Sequence, residues 1–346
     1  MRTVVITGAD SPLGRRVATL TAGDPDAGTV VALADRAVVD LPAGVDVRRI
    51  DLDTDDVKPH LEGAVSVVHL ATAVPASPTA PTRDVERARR LFDAAGDAAV
   101  PHLVVLSSAT VYGAWPNNPV PLTEEATLRP NPGFAFAAER AEIERLAAEW
   151  RGAHPGAVLT VLRPARTAGA DGREWLVPAL RPGPAVPETA DEPPVQFLDV
   201  GDLAAAIELG RIRRLEGAFN VAPDGSVPGD EVRSLTGAPP KVPLPERLAG
   251  RLVRWGFRWG LGPTPPELVP YTLYPWTVAN DRLRAQGWTP TVTNEEACVD
   301  AFEAGAWATM SPRRRQELAL GVAGAGLAAV AAGGVLAARR LLRSSR

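Results

Sequence analysis

The sequence predicts an α/β protein: a doubly wound parallel sheet with a smaller, interleaved C-terminal substrate domain and an apolar helix near the C-terminus. The first half of the chain alternates short apolar runs with amphipathic segments, as βαβ units do. A glycine-containing turn joins the first apolar run to the first helical segment. The 346 residues are 45% hydrophobic and include one cysteine, which excludes collagen-like, disulfide-stapled and wholly disordered chains.

The pattern of apolar residues and turn residues gives the order of the elements. Strands are expected at short apolar runs, and helices where apolar residues recur every three to four positions. The expected strands are Thr3–Thr7, Thr29–Ala34, Val45–Ile50, Ser66–Leu70, His102–Ser107, Val158–Leu162, Val195–Val200 and Ala218–Val221. The expected helices are Leu13–Ala22, Thr82–Ala99 and Phe136–Arg151. The proline-rich stretch 164–194 is expected to be irregular and to face a substrate.

Charge and composition exclude several classes of protein. The net charge of −4 argues against nucleic acid as a partner, and no nucleic-acid motif is present. The four histidines have no metal-ligand spacing and Cys298 stands alone, so no metal site is expected. The N-terminus enters the first strand without the apolar region and cleavage site of a secretory signal. We therefore expect the body of the protein to be cytoplasmic.

The segment 318–338 has 21 residues without a charge and is flanked by arginines. It is long enough to cross a bilayer as a helix, and the linker 306–317 would join it to the body. Fourteen of its residues are Ala or Gly, so its free energy of insertion is marginal. The alternative is a soluble Ala-rich helix that docks on the body. We favour a membrane anchor because the segment has no polar face to turn to water.

A second basic, apolar segment lies at residues 247–261. Leu248, Leu252, Trp255 and Trp259 fall on one helical face, and four arginines recur beside them. Such a helix can lie in a membrane interface. We favour the other interpretation, a surface helix with its Trp face on the core and its Arg face in water.

A candidate nucleotide site lies where the first strand turns into the first helix. There, glycine lets the backbone approach a pyrophosphate, and the helix N-terminus offers free N–H groups, as in Rossmann-type sheets. A carboxylate after the second strand can accept both ribose hydroxyls of NAD and repel the 2′-phosphate of NADP. Arg15, Arg16 and Arg36 can instead hold that phosphate, so we favour NAD and keep NADP as the alternative. The expected cofactor-binding residues here are Gly8, Asp10, Ser11, Pro12, Leu13, Gly14, Asp35 and Arg36.

Further motifs follow along residues 1–305. They are Asp51-Leu52, His69-Leu70-Ala71, Leu106–Gly113, Leu162-Arg163-Pro164, Gln196–Ala204, Phe219–Val221 and Ala279–Pro290. Together they resemble the NAD-dependent epimerase/dehydratase family of the extended short-chain dehydrogenase/reductase superfamily. In that family's opening motif a glycine stands where this chain has Ser11. The resemblance implies cofactor contacts from Asp51, Leu52, Leu70, Ala71, Arg140 and Arg163, and it makes Ser108 the active-site serine.

The resemblance also implies the domain organisation. Residues 1–165, completed by strands within 195–222, would form the NAD(P)-binding domain, and residues 166–305 would form the substrate-binding region. A homodimer through two helices of the first domain is also expected.

The family's catalytic Tyr and Lys, four residues apart, are missing. The register that keeps the family's following glutamate places Phe136 at the tyrosine and Arg140 at the lysine. The chain has two lysines and three tyrosines, and no lysine stands four residues after a tyrosine. A phenyl ring has no exchangeable proton, so the usual acid/base chemistry is not expected.

Two functional hypotheses remain open at this point. The favoured one is an NAD(P)-binding protein that is weakly active or not catalytic, tethered to a membrane and responding to a small molecule. The alternative is an active oxidoreductase or epimerase that recruits another acid, such as Glu139. Its substrate would be a nucleotide sugar, a steroid-like alcohol or a lipid-linked alcohol.

Overall fold

The computed structural model describes residues 2–36, 38, 40–70, 80–168, 176, 180, 185–187, 192–236, 238, 242–259 and 264–302. Within these ranges the strands are β1 (Thr3–Thr7), β2 (Thr29–Ala34), β3 (Val45–Arg49), β4 (Ala64–His69), β5 (His102–Leu106), β6 (Val158–Pro164), β7 (Thr167–Ala168), β8 (Ala185–Pro187), β9 (Leu198–Asp199), β10 (Gly217–Val221) and β11 (Val242–Leu244). The helices are α1 (Pro12–Gly23), α2 (Lys58–Leu61), α3 (Asp84–Asp97), α4 (Ala135–Ala153), α5 (Val200–Arg213), α6 (Gly229–Leu235), α7 (Glu246–Arg258), α8 (Val269–Leu273), α9 (Asp281–Arg284) and α10 (Asn294–Ala301).

Seven of the strands form one parallel sheet in the spatial order β3-β2-β1-β4-β5-β6-β10. The chain winds outward from β1 to β3 and then crosses back to β4, so the direction of winding reverses between β1 and β4. In open α/β sheets such a switch point leaves a crevice at the carboxyl ends of the strands, where ligands bind. The predicted doubly wound parallel sheet is confirmed.

Helices cover both faces of this sheet. Successive residues of β1 point to opposite faces, so Val4 packs with α1 and α5, whereas Val5 packs with α3 and α4. The buried strands are therefore apolar on both sides, as the near-continuous apolar runs of the sequence require. The two helix layers hold the carboxyl ends of β1, β2 and β4 in fixed positions.

Two expectations, one for a strand and one for the packing of a helix, differ from the structure. The strand expected at Val195–Val200 is only Leu198–Asp199, because the Asp199 carboxylate accepts hydrogen bonds from the backbone N–H groups of Gly201 and Asp202 and starts α5 at Val200.

The expected packing of α7 is wrong, because the apolar residues of its stripe are exposed. Leu248, Leu252, Trp255 and Trp259 are 41–66% exposed. The helix contacts β8 and the 3₁₀ turn Pro266–Leu268, so its contact with the body is made by other positions.

Some predictions concern residues outside the described ranges. These are Ala71, the linker 306–317 and the apolar segment 318–338. Within the described part of the chain, no helix combines the length and apolarity needed to cross a membrane.

Candidate functional site

In the glycine turn after β1, at the switch point of the sheet, the backbone at Gly14 lies against the backbone of Gly8. Gly8 has a φ of +74°, and a Cβ on Gly14 would lie 2.1 Å from the Gly8 carbonyl oxygen. Only glycine fits at position 14, so the first turn of α1 lies directly against the turn after β1. This close approach is the cradle that a dinucleotide pyrophosphate requires.

Ser11 lies in the middle of this turn and holds it closed with two hydrogen bonds. Its hydroxyl donates to the Gly8 carbonyl oxygen at 2.8 Å and accepts from the Gly14 N–H at 2.9 Å, so Ser11 caps α1. Pro12, in the first turn, has no N–H to offer. Because the cap takes the Gly14 N–H, the N–H of Leu13 is the remaining first-turn donor beside the crevice.

Two carboxylates meet beside this turn. Asp10 lies within the glycine turn, and Asp35 follows β2. Burial raises the pKa of Asp10 first, and the neighbouring negative charge of Asp35 raises it further. Asp10 therefore binds a proton more readily than an ordinary aspartate.

A polar cavity of about 470 Å³ opens at the carboxyl ends of β2 and β3. Its volume lies in the usual range for small-molecule sites. It brings together the predicted residues Asp35, Arg36 and Asp51, and it adds a set that the sequence did not single out: Arg49, Asp53, Asp55 and Arg87. Arg87, on α3, donates to both carboxylate oxygens of Asp53 at 3.1 and 2.7 Å. This ion pair joins α3 to the cavity. The sequence could not predict the pair, because Arg87 and Asp53 lie 34 positions apart and form no local pattern.

Arg15, Arg16 and Arg36, which could hold the 2′-phosphate of NADP, lie in different places. Arg36 lines the cavity. Arg15 donates to the Asp10 carbonyl oxygen at 2.9 Å, and the Arg16 guanidinium lies against Gly201 at the start of α5. Of the three, only Arg36 is therefore placed beside Asp35.

The structure places Phe136 and Arg140 together on α4. The Arg140 guanidinium carbon lies 5.2 Å from the centroid of the Phe136 ring, a cation–π distance. Arg140 also forms an ion pair with Asp84 at the start of α3, and the two side chains are only 2% and 1% exposed. The Arg140 cation is thus tied to a buried carboxylate.

The pKa of His69 reflects both burial and the nearby arginine charges. Burial lowers the pKa of His69 to about 3, and the positive charges of Arg140 and Arg87 act in the same direction. The ring is neutral and its Nδ1 lies 2.9 Å from the Thr7 hydroxyl oxygen. The Leu70 N–H donates to the same oxygen at 3.2 Å, which ties the predicted residue Leu70 to the end of β1.

Ser108 lies at the end of the segment that follows β5. Its hydroxyl oxygen accepts from the Thr110 hydroxyl at 3.0 Å and from the Thr110 N–H at 3.3 Å. These contacts use its lone pairs, so the Ser108 O–H is the group that can donate to a substrate carbonyl.

A buried polar network centred on Arg163 contacts the segment that contains Ser108. Arg163 donates to both Glu144 oxygens at distances from 2.6 to 3.1 Å and to the Tyr112 hydroxyl at 2.8 Å. Glu144 also accepts from Ser107 at 2.5 Å. Arg163 was expected to contact the cofactor; the structure places its guanidinium in this network, and the residue is 7% exposed.

Leu52 completes the predicted set. It is 8% exposed and belongs to the apolar core beneath the cavity. Within the described ranges, no three His, Cys, Asp or Glu side chains are grouped as metal ligands.

The parallel sheet, the glycine turn at its switch point and the adjoining acidic residues are the elements of a dinucleotide-binding fold of the Rossmann type. The model of the NAD dependent epimerase/dehydratase family matches residues 4–209, more than half of the chain. The chain belongs to this family. NAD is the family's cofactor, and the Gly8–Gly14 cradle fits it.

Several proteins are similar to this chain. A short-chain dehydrogenase/reductase superfamily protein from Agrobacterium tumefaciens with bound NAD aligns with a TM-score of 0.62 and 23% identity, over 92% of this chain and 98% of that one. The UDP-glucose 4-epimerase of Thermus thermophilus, in complex with NAD, aligns with a TM-score of 0.60 and 21% identity, over 87% and 97%. An uncharacterized protein of Mycobacterium tuberculosis is 26% identical over 224 residues, 63% of this chain and 58% of that protein. The chain therefore matches somewhat more than half the length of that relative.

Proposed function

We propose that this protein binds NAD in the epimerase/dehydratase manner but has lost the proton relay of the family, so that it turns over slowly or not at all. The observation that carries the proposal is the pair on α4. Phe136 offers a ring without an exchangeable proton where a tyrosine is expected, and Arg140 is held by Asp84. Loss of a positioned acid/base costs about 10²–10⁴-fold in rate.

Two of the three tyrosines, Tyr112 and Tyr271, make buried hydrogen bonds within the protein. The Tyr112 hydroxyl donates to Asn220 at 2.8 Å and accepts from Arg163, and burial raises the pKa of Tyr112. The Tyr271 hydroxyl donates to the Thr110 carbonyl oxygen at 2.9 Å, and burial raises its pKa as well. Both phenols are thus neutral donors at physiological pH and favour the same conclusion.

NAD would be held by residues already in place. The Leu13 N–H and the Gly8–Gly14 cradle would receive the pyrophosphate, and Asp35 would accept from the ribose hydroxyls. Bound there, the cofactor supplies hydride acceptance and donation. On the substrate side, Ser108 can polarise a carbonyl, but a serine hydroxyl at neutral pH is a poor base. The arrangement supports binding better than turnover.

The alternative, an active enzyme with Glu139 as its acid, has less support. Both oxygens of Glu139 accept hydrogen bonds from Thr82, from its N–H at 2.5 Å and from its hydroxyl at 2.8 Å. These bonds occupy both carboxylate oxygens and tie the side chain to the start of α3, so Glu139 already has partners other than a substrate.

The first test is calorimetric titration of the purified full chain with NAD and NADP. We expect NAD to bind and to bind more tightly than NADP. Binding of neither dinucleotide at millimolar concentration would remove the basis of the proposal.

The second test restores the relay. With UDP-glucose as the probe, because several structurally similar proteins are UDP-glucose or UDP-galactose 4-epimerases, Phe136→Tyr combined with Arg140→Lys should raise turnover about 10²-fold or more. Phe134→Tyr adds the same hydroxyl two residues earlier, out of register, and should not. Each variant is first shown to retain NAD binding. Wild-type turnover near the common enzymatic value of about 10 s⁻¹ would refute the loss of the relay.

The segment 318–338 carries the remaining part of this proposal. Its 21 uncharged residues between arginine clusters support a membrane anchor. Deletion of residues 313–346 should move the protein from the membrane fraction of expressing cells to the soluble fraction. An unchanged distribution would contradict the anchor.

A further inference from the structure

The helix α7 presents an apolar stripe to solvent. Leu248, Leu252, Trp255 and Trp259 follow one another at intervals of four, three and four residues, which keeps them on one side of a helix. Trp255 is 55% exposed and Trp259 66%, and the centroids of their rings lie 6.3 Å apart. Among the described residues eleven large apolar side chains are exposed, and five of them lie between positions 248 and 259. Exposed apolar side chains concentrated in this way mark an interaction surface.

A basic row runs beside the stripe. Arg251 and Arg258 are exposed, and at 100° per residue both fall next to the line of Trp255 and Trp259. The helix Glu246–Arg258 contains four arginines and one glutamate, a net charge of +3 in a chain whose net charge is −4. A local positive charge on an acidic protein attracts an anionic surface and orients the molecule toward it.

We infer that α7 is a membrane-docking helix that lies in the interface of an anionic bilayer, with its Leu and Trp stripe among the acyl chains and its arginines at the headgroups. Interfacial helices have this composition, and tryptophan rings prefer the headgroup boundary. The choice of a bilayer over a protein partner rests in part on the anchor proposed above. The described residues end at position 302, and sixteen positions later begins the apolar segment flanked by arginines, which as an anchor would bring the body to a bilayer.

The experiment reads out the two tryptophans directly. The full chain is combined with vesicles of phosphatidylcholine, with or without phosphatidylglycerol, whose acyl chains carry bromine. Bromine quenches only indole rings that reach the acyl chains, and interfacial helices enter to a depth of about 5–10 Å. We expect strong quenching with phosphatidylglycerol and weak quenching without it. Trp255→Phe combined with Trp259→Phe should remove most of this quenching, whereas Trp115→Phe, a control far from α7 in sequence, should retain it.

A second measurement follows the charge. Arg258→Glu should weaken binding to phosphatidylglycerol vesicles at least about fivefold, because one basic residue near an anionic surface contributes about that much. Arg213→Glu is the matched control, an exposed arginine at the end of α5, and should not weaken binding. Leu252→Ser and its control Ile212→Ser make the same comparison for apolar contact.

Three results would overturn the inference. The first is quenching that the paired tryptophan substitutions leave unchanged. The second is equal quenching in vesicles with and without phosphatidylglycerol. The third is a dimer in solution that Leu252→Ser dissociates while vesicle binding stays intact, because the stripe would then be a contact between copies of the chain. A failure of NAD binding affects none of these readouts.

Discussion

The ion pair between Asp84 and Arg140 allows a quantitative test of the α4 site. Replacing Asp84 by Asn removes the negative charge and leaves the Arg140 guanidinium buried at 2% exposure. Breaking a buried pair on one side costs about 3–5 kcal/mol, because the remaining charge has lost an oppositely charged partner. The control is Asp46→Asn, which breaks an exposed pair in which Arg48 and Asp46 are 39% and 45% exposed. That change should cost less than about 1 kcal/mol.

The assay is urea unfolding of both variants at the same pH, with the free energy of unfolding obtained by linear extrapolation. A third variant, Asp84→Asn with Arg140→Met, removes both charges and should recover most of the stability lost by Asp84→Asn alone. If Asp84→Asn costs no more than Asp46→Asn, or if the double variant is no more stable than the single one, the pair is not a buried, mutually compensating contact and the reasoning is refuted.

Three further outcomes are expected. Gly14→Ala should destabilise the protein by about 1–3 kcal/mol and abolish NAD binding, because the added Cβ has no room. The control is Gly23→Ala, whose Cβ has no atom within 4 Å and which should leave NAD binding intact. Titration measures NAD binding, and urea unfolding measures stability. Burial lowers the pKa of His69 and of His102 to about 3 in the folded protein, against about 6.5 in the unfolded chain. The free energy of unfolding should therefore fall as the pH drops below 6.5, by up to about 1.4 kcal/mol per pH unit for each ring. His102→Gln should reduce this slope in unfolding measured between pH 6 and 5. Asp35→Ala should weaken NAD about tenfold and reduce its advantage over NADP, and an unchanged ratio of the two affinities would contradict the assigned role of Asp35.

The sheet could be predicted from the sequence because its strands are buried on both faces. Runs such as Val4-Val5-Ile6 have no polar face and are short, which indicates strands in a parallel sheet. The segment 195–200 looks similar, but Asp199 within it caps a helix, and local side-chain bonding of this kind ends a strand regardless of its apolar neighbours. The boundaries of the predicted helices differ by only one to two residues from those of α1, α3 and α4.

The candidate site could be predicted in part. The glycine turn is local in sequence, so its residues could be identified directly. The partner of Arg140 could not be, because Asp84 lies 56 positions earlier and an aspartate at the start of a helix looks like an ordinary first-turn residue. The exposure of Trp255 could not be predicted either, since an amphipathic pattern gives the stripe but not the surface that covers it.

The raised pKa of Asp10 has a thermodynamic consequence for any ligand whose hydroxyl groups bind beside it. A hydroxyl group donates to an ionised carboxylate, so it competes with the proton that Asp10 takes up. Ligand association and proton release are then linked equilibria. The affinity for a ribose should fall as the pH drops below the raised pKa of Asp10, and the measured heat of binding should vary with the ionisation enthalpy of the buffer that takes up the proton.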